Sequence, residues 1–399
     1  MFIRIPKRNP KPRKKRLPRR SEMSKILFIS NVTNRITSFA TASIAASHNL
    51  GLEFFQAANW RDTDPEFIRS EEKKYDIKIN NFCISRNPFA SSNLTAYREI
   101  VDLIKRENID FIHCNTPTGG ILGRMAGKKC GVKKVIYQAH GFHFYQGAPK
   151  KNWAVYYPIE KMLARYTDAI ITINKEDYEL AKKNFRLRGN GSVYYVPGVG
   201  IDLSQFEINK KIRAEKRAEL GLSDTDFVII SVGELNGNKN NAVIISAMEK
   251  LRKDNVHYVL CGVGDRQDEL QRSADGAGLH GNVHFLGYRK DVKELYQAAD
   301  CFVMPSFREG LSRSVMEAMA SGLPCVVSKI RGNTDLIEDG RGGFLLAPTD
   351  ADGFASAIER LCGDRALCDE MSRYNLEKIK EFDVSVVEDG LTKIYKNTL

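Results

Sequence analysis

Short apolar runs alternate with longer amphipathic stretches along the chain from Lys25 onward. The apolar runs are rich in β-branched residues and predict buried strands at residues 26–30, 111–114, 134–139 and 169–174. The amphipathic stretches predict helices at residues 97–107, 120–130, 153–166 and 175–183. Strands and helices that alternate in this way are typical of a parallel, doubly wound sheet.

A second alternation follows a break in this pattern. The break lies at residues 193–206, where proline and glycine favour turns, and a charged stretch follows at residues 210–219. The pattern then predicts strands at residues 228–233, 257–262, 283–286, 301–305 and 324–328. It predicts helices at residues 241–252, 266–275, 292–298 and 314–321. We therefore expect an α/β protein with two tandem Rossmann-like units and a ligand-binding cleft between them, at the carboxyl ends of the strands.

The break also sets the expected domain boundaries. We expect one domain at residues 24–197, a second at residues 198–380, and a C-terminal helix at residues 381–399 that packs back on the first domain. The 399 residues and the 42% apolar fraction suffice for two cores, since one domain takes about 100–200 residues. No apolar run approaches the ~20 residues that cross a bilayer, and no signal-peptide pattern follows the basic amino terminus. A cytoplasmic protein is therefore expected.

The net charge of +12 is concentrated at the amino terminus. Residues 1–24 contain ten Lys and Arg and one Glu, whereas 51 basic and 48 acidic residues remain from Lys25 onward. This nearly neutral body argues against a protein that coats nucleic acid, and the basic, proline-containing segment 1–23 is expected to be disordered. Two interpretations of the segment stay open. It attracts the chain to anionic lipid on the inner face of the cell membrane, at about 1 kcal/mol per basic residue, or it is upstream sequence before a Rossmann first strand.

A glycine-containing loop at residues 233–240 carries the first candidate chemistry. Its sequence, GELNGNKN, lies directly after a predicted strand and before a predicted helix. Gly233 and Gly237 let a ligand approach the backbone, the helix start offers unpaired N–H groups to an anion, and Lys239 adds a positive charge. The loop can therefore hold a phosphate, although it lacks the G-K-[ST] of a Walker A loop. A solvated turn with a surface lysine is the alternative.

The segment 306–324, SFREGLSRSVMEAMASGLP, carries two carboxylates. Glu309 lies in a predicted loop and Glu317 in the helix that follows, where each can accept hydrogen bonds from sugar hydroxyls. For Glu317 the alternative is a capping box in which Ser314 and Glu317 cap their own helix. For Glu309 the alternative is an exposed acid in a turn.

Glu309 and Glu317, with seven residues between them, resemble the E-x7-E element of the retaining glycosyltransferases of family 4, which have the two-domain GT-B fold. Matching segments follow in the family's order at residues 196–202, 233–240, 260–265, 285–291 and 332–335. Residues 112–124 and 138–145 resemble the branch that builds capsular and exopolysaccharide repeat units. The resemblance implies an acceptor-binding first domain and a nucleotide-sugar-binding second domain.

In the second domain, the resemblance implies that Lys239 contacts the donor diphosphate, Glu309 holds hydroxyls of the donor sugar and Glu317 binds the nucleotide ribose. It implies that the backbone amides of Leu311 and Ser312 lie near the phosphates. It also implies that the main chain at Tyr288 and Arg289 faces the base. The remaining donor-binding residues implied in this way are Gly233, Asn238, Tyr288, Arg289, Gly310, Leu311 and Ser312.

In the first domain, the resemblance implies that His140 reaches the transferred sugar, so that His140, Lys239 and Glu309 form the expected catalytic set. His113, Asn115 and His143 are expected on the acceptor side. A structural histidine at the end of a strand is the alternative for His140. For the aromatic loop that contains His143, the alternative is packing at the domain interface.

Two positions depart from the family's pattern. Glu234 stands where the family commonly has a basic residue that pairs with the lysine, so the second cation for the phosphates is not identified. Arg308 and Arg331 are candidates because they lie near the motif in sequence. Residues 31–37 contain no glycine, whereas many members have a Gly-Gly loop after the first strand.

The expected reaction is retaining transfer of a hexosyl or N-acetylhexosaminyl group from a nucleotide sugar, with UDP favoured by the resemblance, to a glycan or lipid-linked sugar. Lys239 and the helix amino ends can stabilise a departing diphosphate, and no D-x-D pair is found in the expected cleft, so we expect no metal and no other cofactor. No nucleic-acid partner is expected. Two alternatives are a nucleotide-sugar 2-epimerase of the same architecture and a non-catalytic protein that binds nucleotide sugars or nucleic acid.

Overall fold

The computed structural model describes residues 23–399, so residues 1–22 of the segment for which disorder is expected lie outside the described residues. The described chain folds around two parallel β-sheets, one of seven strands and one of six. Helices lie between successive strands in both. The predicted α/β class with two tandem Rossmann-like units is confirmed.

The first sheet has the strand order β3-β2-β1-β4-β5-β6-β7. Its strands are β1 (Lys25–Val32), β2 (Glu53–Asn59), β3 (Lys78–Asn81), β4 (Phe111–Asn115), β5 (Lys134–Ala139), β6 (Ala169–Thr172) and β7 (Ser192–Tyr195). The helices around it are α1 (Ser38–Asn49), α2 (Pro65–Tyr75), α3 (Ser92–Glu107), α4 (Pro117–Cys130), α5 (Lys150–Ala164) and α6 (Lys175–Asn184).

The sequence pattern did not predict five elements of this half, α1, α2, β2, β3 and β7. Helix α1 consists largely of Ser and Ala and has little contrast between its two faces. Strand β3, KINN, is polar and lies at the sheet edge, where one side of the strand needs no partner. Both elements therefore form because of their neighbours rather than because of their own periodicity.

The second sheet has the strand order β10-β9-β8-β11-β12-β13. Its strands are β8 (Phe227–Val232), β9 (Val256–Cys261), β10 (Val283–Phe285), β11 (Cys301–Met304), β12 (Cys325–Ser328) and β13 (Gly343–Leu346). The helices that follow the linker are α7 (Lys210–Glu219), α8 (Ala242–Leu251), α9 (Gln267–Gly276), α10 (Val292–Ala298), α11 (Arg313–Ala320), α12 (Asn333–Leu336), α13 (Ala351–Gly363), α14 (Arg365–Lys378) and α15 (Val384–Thr398).

The C-terminal helix α15 leaves the second sheet and packs on α1 of the first. Its buried face, which includes Leu391 and Tyr395, belongs to the same apolar cluster as Phe28 and Ile136 of the first sheet. The chain passes between the two sheets twice, and backbone hydrogen bonds join the two connecting segments. Ile201 N–H donates to the Phe382 carbonyl, and Val384 N–H donates to the Ile201 carbonyl, each at 3.0 Å.

Each sheet brings two loops together where its strand order reverses. Strand β8 lies between β9 and β11, and strand β1 lies between β2 and β4, with β5 beside β4. Because all strands are parallel, the loops after neighbouring strands lie at the same edge of the sheet. Within residues 23–399, no helix is long and apolar enough to cross a membrane.

Candidate active site

Lys239 and Glu309 meet at the carboxyl edge of the second sheet. Lys239 follows β8 and Glu309 follows β11, and the Lys239 Nζ donates to Glu309 Oε1 at 2.7 Å although 70 residues separate them in sequence. Both side chains are partly sheltered, with 21% and 15% of their surface exposed. Gly233 leaves room for the lysine, since a Cβ there would lie 3.2 Å from Lys239 Cε.

Hydrogen bonds fasten the loop of Lys239 to the segment that carries Glu309. The Asn238 side chain donates to the Arg308 carbonyl at 3.0 Å, and Phe307 N–H donates back to the Asn238 carbonyl at 2.9 Å. Asn240, which has a left-handed backbone (φ 55°), donates from its side chain to the carbonyls of Pro305 and Pro348 at 3.2 and 2.7 Å. The ammonium and the carboxylate are therefore held by a shared backbone framework as well as by their own contact.

His140 comes from the first domain, directly after β5. Its Nε2 lies 2.9 Å from Asn115 Oδ1, an oxygen that can only accept, so Nε2 carries the proton and Nδ1 is an acceptor. This Nδ1 is buried and has no partner within residues 23–399. Burial lowers the pKa of His140 from 6.5 to about 4, so the ring is neutral at pH 7. The ring therefore offers one unpaired hydrogen-bond acceptor.

The two domains touch through glycine backbone beside His140. A Cβ on Gly310 would lie 2.3 Å from the His140 carbonyl oxygen, which is closer than any side chain allows. A Cβ on Gly332 would lie 2.4 Å from the Gly310 carbonyl oxygen. Only glycine at these positions lets the loop of Glu309 approach His140 this closely.

Arg331 joins the domains at the same place. Its Nη1 donates to Asp177 Oδ1 and to the Phe142 carbonyl, both in the first domain and both at 2.9 Å, and its Nε donates to the Glu309 carbonyl at 3.3 Å. The Arg331 and Asp177 side chains are 4% and 0% exposed. A buried ion pair thus connects the two domains directly behind Glu309.

Residues of both domains line a cavity of about 280 Å³ at this junction. The first domain contributes His140 and His143, and the second contributes Asn238, Arg308 and Glu309. Lys239 does not line the cavity itself but contacts Glu309, which does. The cavity therefore has a carboxylate with a lysine behind it on one side and a neutral imidazole on the other.

The structure separates the two candidates for the second phosphate cation. Arg331 lines the cavity, but its charge is already paired with Asp177. Arg308 also lines the cavity, is exposed, and makes no ion pair within the described chain. Glu234 is exposed. Arg308 is therefore the candidate whose charge is available to a ligand.

Helix α11 begins differently from the capping-box alternative. Ser312, rather than Ser314, is the N-cap residue, and its Oγ accepts from Val315 N–H at 3.4 Å. Glu317 lies beyond the first turn, where its carboxylate accepts from Arg313 Nε at 2.9 Å and from the Tyr296 hydroxyl at 3.3 Å. The capping box is therefore wrong, and Glu317 is a half-buried carboxylate held by two side-chain donors.

Three other expected donor-binding residues lie around this edge. The Leu311 side chain packs on the linker, since a Cβ on Gly198 would lie 2.7 Å from Leu311 Cδ2. Tyr288 is 74% exposed. The Arg289 guanidinium pairs with Glu219 Oε1 at 2.6 Å and with Asp291 Oδ1 at 2.7 Å, so its charge ties this loop to α7.

The structure does not bring all the expected acceptor-side residues together. His113 is 0% exposed, does not line the cavity between the domains or the larger one described below, and bonds through Nδ1 to the Tyr395 hydroxyl of α15. Its expected place beside the acceptor is therefore wrong, because its side chain points into the core under α15. Asn115 and His143, by contrast, line a second cavity of about 750 Å³ in the first domain.

This larger cavity shares His140, Phe142 and His143 with the smaller one. Its walls are largely aromatic and aliphatic, with side chains that include Phe39, Phe89, Phe144, Val155, Tyr156 and Ile159. Phe39 also meets the His140 ring edge to face, with ring centres 4.6 Å apart. The site therefore has a polar junction and an apolar extension that meet at residues 140–143.

The sequence pattern does not predict the ion pair of Arg331 or the apolar side chains from α1, α5 and the loop before α3. It suggests Arg331 only as a phosphate cation, and no local pattern connects it with Asp177. Phe89, which is 83% exposed beside the cavity, lies among turn residues where an aromatic is unusual, and this pattern could have indicated a binding loop. No group of His, Cys, Asp and Glu within residues 23–399 is arranged to hold a metal ion.

The buried neutral histidines predict a pH dependence of stability. Burial lowers the pKa of His113 from 6.5 to about 3. Below pH 6.5 the unfolded chain therefore binds a proton at this residue, whereas the folded chain does not bind it until about pH 3. Stability is therefore lost as the pH falls through this window. His113→Gln should remove about 2–3 kcal/mol of the loss in unfolding free energy between pH 7 and pH 4.5. Urea unfolding at the two pH values measures it, with His48→Gln on the surface as the control.

The same pH dependence in the wild type and in His113→Gln would contradict a neutral His113. The variant also loses the bond to Tyr395. This loss changes the free energy of unfolding by the same amount at both pH values, so it does not affect the difference between them.

The chain matches two families of known proteins, one in each half. Residues 212–378 match the family Glycosyl transferases group 1, and residues 25–174 match the family Glycosyl transferase 4-like. Together the two matches include Lys239, Glu309 and His140.

Full-length relatives show the same likeness. The chain is 35% identical to the "Putative glycosyltransferase EpsD" of Bacillus subtilis over 93% of this chain and 96% of the relative. It is 32% identical to the Escherichia coli "UDP-Gal:alpha-D-GlcNAc-diphosphoundecaprenol alpha-1,3-galactosyltransferase" over 71% of this chain and 74% of that protein. Among solved structures, Anabaena HepE in complex with UDP and glucose superposes with a TM-score of 0.76 at 20% identity, over 94% of this chain and 100% of HepE. That likeness is one of fold.

Proposed function

Because the chain belongs to the group 1 glycosyltransferases, with a 4-like first domain, we propose that it transfers a hexosyl or N-acetylhexosaminyl group from UDP to a lipid-linked sugar with retention of configuration. The product would be an intermediate in the synthesis of a bacterial cell-surface polysaccharide. One observation carries the proposal: the pair of Lys239 and Glu309 lies on one side of a cavity between the domains, with His140 of the first domain on the other.

The donor sugar belongs in the smaller cavity. Glu309 can accept hydrogen bonds from its hydroxyls, and the neutral His140 lines the opposite side of the cavity. Lys239 and Arg308 are the cations close to the diphosphate in this arrangement, and the start of α11 adds unpaired backbone N–H groups. Glu317 lies farther along α11, where it suits the ribose.

UDP is the proposed nucleotide because of what similar proteins bind. The Escherichia coli relative is named for UDP-Gal, and HepE was solved with UDP and glucose. In this chain, the exposed Tyr288 and the loop fixed by Arg289 would face the base. The main chain of this loop would provide the contacts, since the Arg289 charge is already paired.

The acceptor belongs in the larger cavity of the first domain. The Escherichia coli relative is named for an acceptor that carries a diphosphate and a polyprenol, and a lipid-linked sugar suits a cavity with aromatic and aliphatic walls. Such an acceptor places the reaction at the inner face of the cell membrane, to which the basic residues 1–23 would be attracted.

The proposed step needs a stabilised leaving group rather than a protein nucleophile. The bond from the sugar C1 to the donor phosphate breaks while the acceptor hydroxyl adds to C1 on the same face, and a phosphate oxygen takes the hydroxyl proton. UDP then leaves with the developed negative charge. Lys239, Arg308 and the start of α11 lower the energy of this charge, and such donors are worth about 10²–10³-fold in rate each.

A binding screen followed by a transfer assay tests the proposal. UDP should raise the melting temperature of the full chain more than GDP or ADP does, because a ligand that binds only the folded state stabilises it by mass action. The UDP sugar that raises it most should then release UDP only when a lipid-linked sugar acceptor is present. Interconversion of free nucleotide sugars without an acceptor would indicate a 2-epimerase instead. Binding of a nucleotide sugar with no reaction would indicate a non-catalytic protein.

A further inference from the structure

One member of a buried charged pair lines the larger cavity, whose walls are largely apolar. Glu160 of α5 and Tyr137 of β5 both line the cavity. The Glu160 Oε2 accepts from Arg124 Nη1 of α4 at 2.7 Å, and its Oε1 accepts from the Tyr137 hydroxyl at 3.3 Å. The Glu160 side chain keeps 10% of its surface exposed, whereas Arg124 has none.

The surroundings hold this carboxylate in one position. The Arg124 guanidinium stacks over the Tyr137 ring at 3.8 Å, and its Nε donates to the Gly120 carbonyl at 2.8 Å. Gly120 makes room for the ring, since a Cβ there would lie 2.4 Å from Tyr137 Cε2. The charge of Glu160 is therefore balanced from the side away from the cavity, and its orientation is set before any ligand arrives.

The carboxylate of Glu160, which lines the cavity, retains acceptor capacity. Its two oxygens have about four acceptor positions, and the two described bonds use one position on each oxygen. A buried ion pair is poor evidence of a stabilising role, because apolar residues of similar volume often serve stability as well or better. A fixed, incompletely bonded carboxylate in an apolar cavity therefore indicates recognition of a ligand that donates hydrogen bonds.

We propose that Glu160 is a specificity-determining residue that accepts hydrogen bonds from hydroxyl or amide N–H groups of the acceptor's sugar. The inference rests on the proposed function, because it deepens the acceptor assignment. The negative charge of Glu160 repels the acceptor's diphosphate, so a neutral sugar ring is favoured beside it. The aromatic walls suit the C–H faces of such a ring, while Glu160 accepts hydrogen bonds from the hydroxyl or amide N–H groups at the edge of the ring.

The place of Glu160 also fits the reaction. Glu160 and residues 140–143 line the same cavity, and residues 140–143 line the donor cavity as well. A sugar anchored at Glu160 thus occupies the same cavity as His140, where the donor sugar and the acceptor hydroxyl must meet. Glu160 acts on binding of the acceptor, whereas Lys239 and Glu309 act on the donor.

The test uses neutral octyl glycosides as probes, because they carry a sugar and a chain but no diphosphate. The octyl glycosides of glucose, galactose, N-acetylglucosamine and N-acetylgalactosamine are titrated by ligand-observed NMR against the full chain saturated with UDP. We expect saturable binding of at least one probe, weakened roughly 10- to 100-fold in Glu160→Gln, because a hydrogen bond to a charged group is lost. Glu179→Gln, an exposed carboxylate on α6 of the same domain, should bind as the wild type does.

The outcomes separate this inference from the proposed function. Equal probe affinity in wild type and Glu160→Gln overturns the inference, and so does a wild type that binds UDP but none of the probes. A wild type that fails to bind UDP or any UDP sugar overturns the proposed function, whereas Glu160-dependent glycoside binding in that protein would leave the sugar subsite standing. If Glu160→Gln does not fold, Arg124→Met/Glu160→Met removes both charges together, leaves no unpaired buried charge, and should show the same weakened probe binding.

Discussion

Replacing Lys239 by alanine is expected to lower kcat for sugar transfer by about 10²–10³-fold while the protein stays folded. The lysine ammonium lies 2.7 Å from Glu309 at the edge of the cavity between the domains, and only 21% of the side chain is exposed. When the sugar–phosphate bond breaks, negative charge develops on the leaving diphosphate, and a sheltered cation stabilises it more than bulk water does. The measurement is kcat with the UDP sugar found in the binding screen and a lipid-linked acceptor.

The structure provides a matched control for this variant. Lys250 on α8 also pairs with a carboxylate at 2.7 Å, Asp352 Oδ1, but it lies on the surface of the same domain. Lys250→Ala should leave kcat unchanged and shift the melting temperature little, because exposed ion pairs contribute about 0–1 kcal/mol. A Lys239→Ala enzyme with near-normal kcat would show that the leaving group is stabilised elsewhere.

Glu309→Ala distinguishes the two partners of the pair. It frees the lysine charge for the diphosphate but removes the proposed acceptor for hydroxyls of the donor sugar, so transfer should still be abolished. Affinity for UDP alone, which has no sugar, should then be retained or raised in Glu309→Ala and reduced in Lys239→Ala. Calorimetry should therefore show a loss of UDP affinity in Lys239→Ala but not in Glu309→Ala; parallel losses would mean that the pair serves only to hold the loops together.

Replacing Arg331 by methionine is expected to lower the free energy of unfolding by about 3–5 kcal/mol. The variant leaves the fully buried Asp177 carboxylate without the guanidinium that pairs with it. It also removes the hydrogen bonds that this guanidinium donates to the Phe142 and Glu309 carbonyls. An uncompensated charge in the interior is costly because water can no longer solvate it. Urea unfolding of the full chain, monitored by tryptophan fluorescence, measures the change.

Arg341→Met is the control, since Arg341 pairs at 3.0 Å with Glu338 on the surface of the same domain. Its loss should cost at most about 1 kcal/mol. The double variant Arg331→Met/Asp177→Asn should recover part of the lost free energy, because no unpaired charge remains. If Arg331→Met is no less stable than Arg341→Met, the pair between the domains does not contribute as the geometry indicates.

Arg331 also shows why nearness in sequence is a weak guide to a cation's role. It lies 22 residues from Glu309 and was a candidate for the phosphates, yet its charge is used to join the domains. His113 shows the same limit from the opposite side. The chain segment around it resembles an acceptor loop, but α15 returns from the far end of the chain and covers its side chain with Tyr395.

The sequence by itself determined the two parallel-sheet units, the break between them, and the loops of Lys239 and Glu309. These features depend on local sequence, namely the spacing of apolar residues and the glycines after strands β8 and β11. Only the tertiary structure decided that Lys239 meets Glu309 across 70 residues, that Arg331 pairs with Asp177, and that Glu160 lines a cavity. The physical reason is that such contacts depend on which strands become neighbours and on which helix covers them. Neither is set by any stretch of residues short enough to carry a periodic pattern.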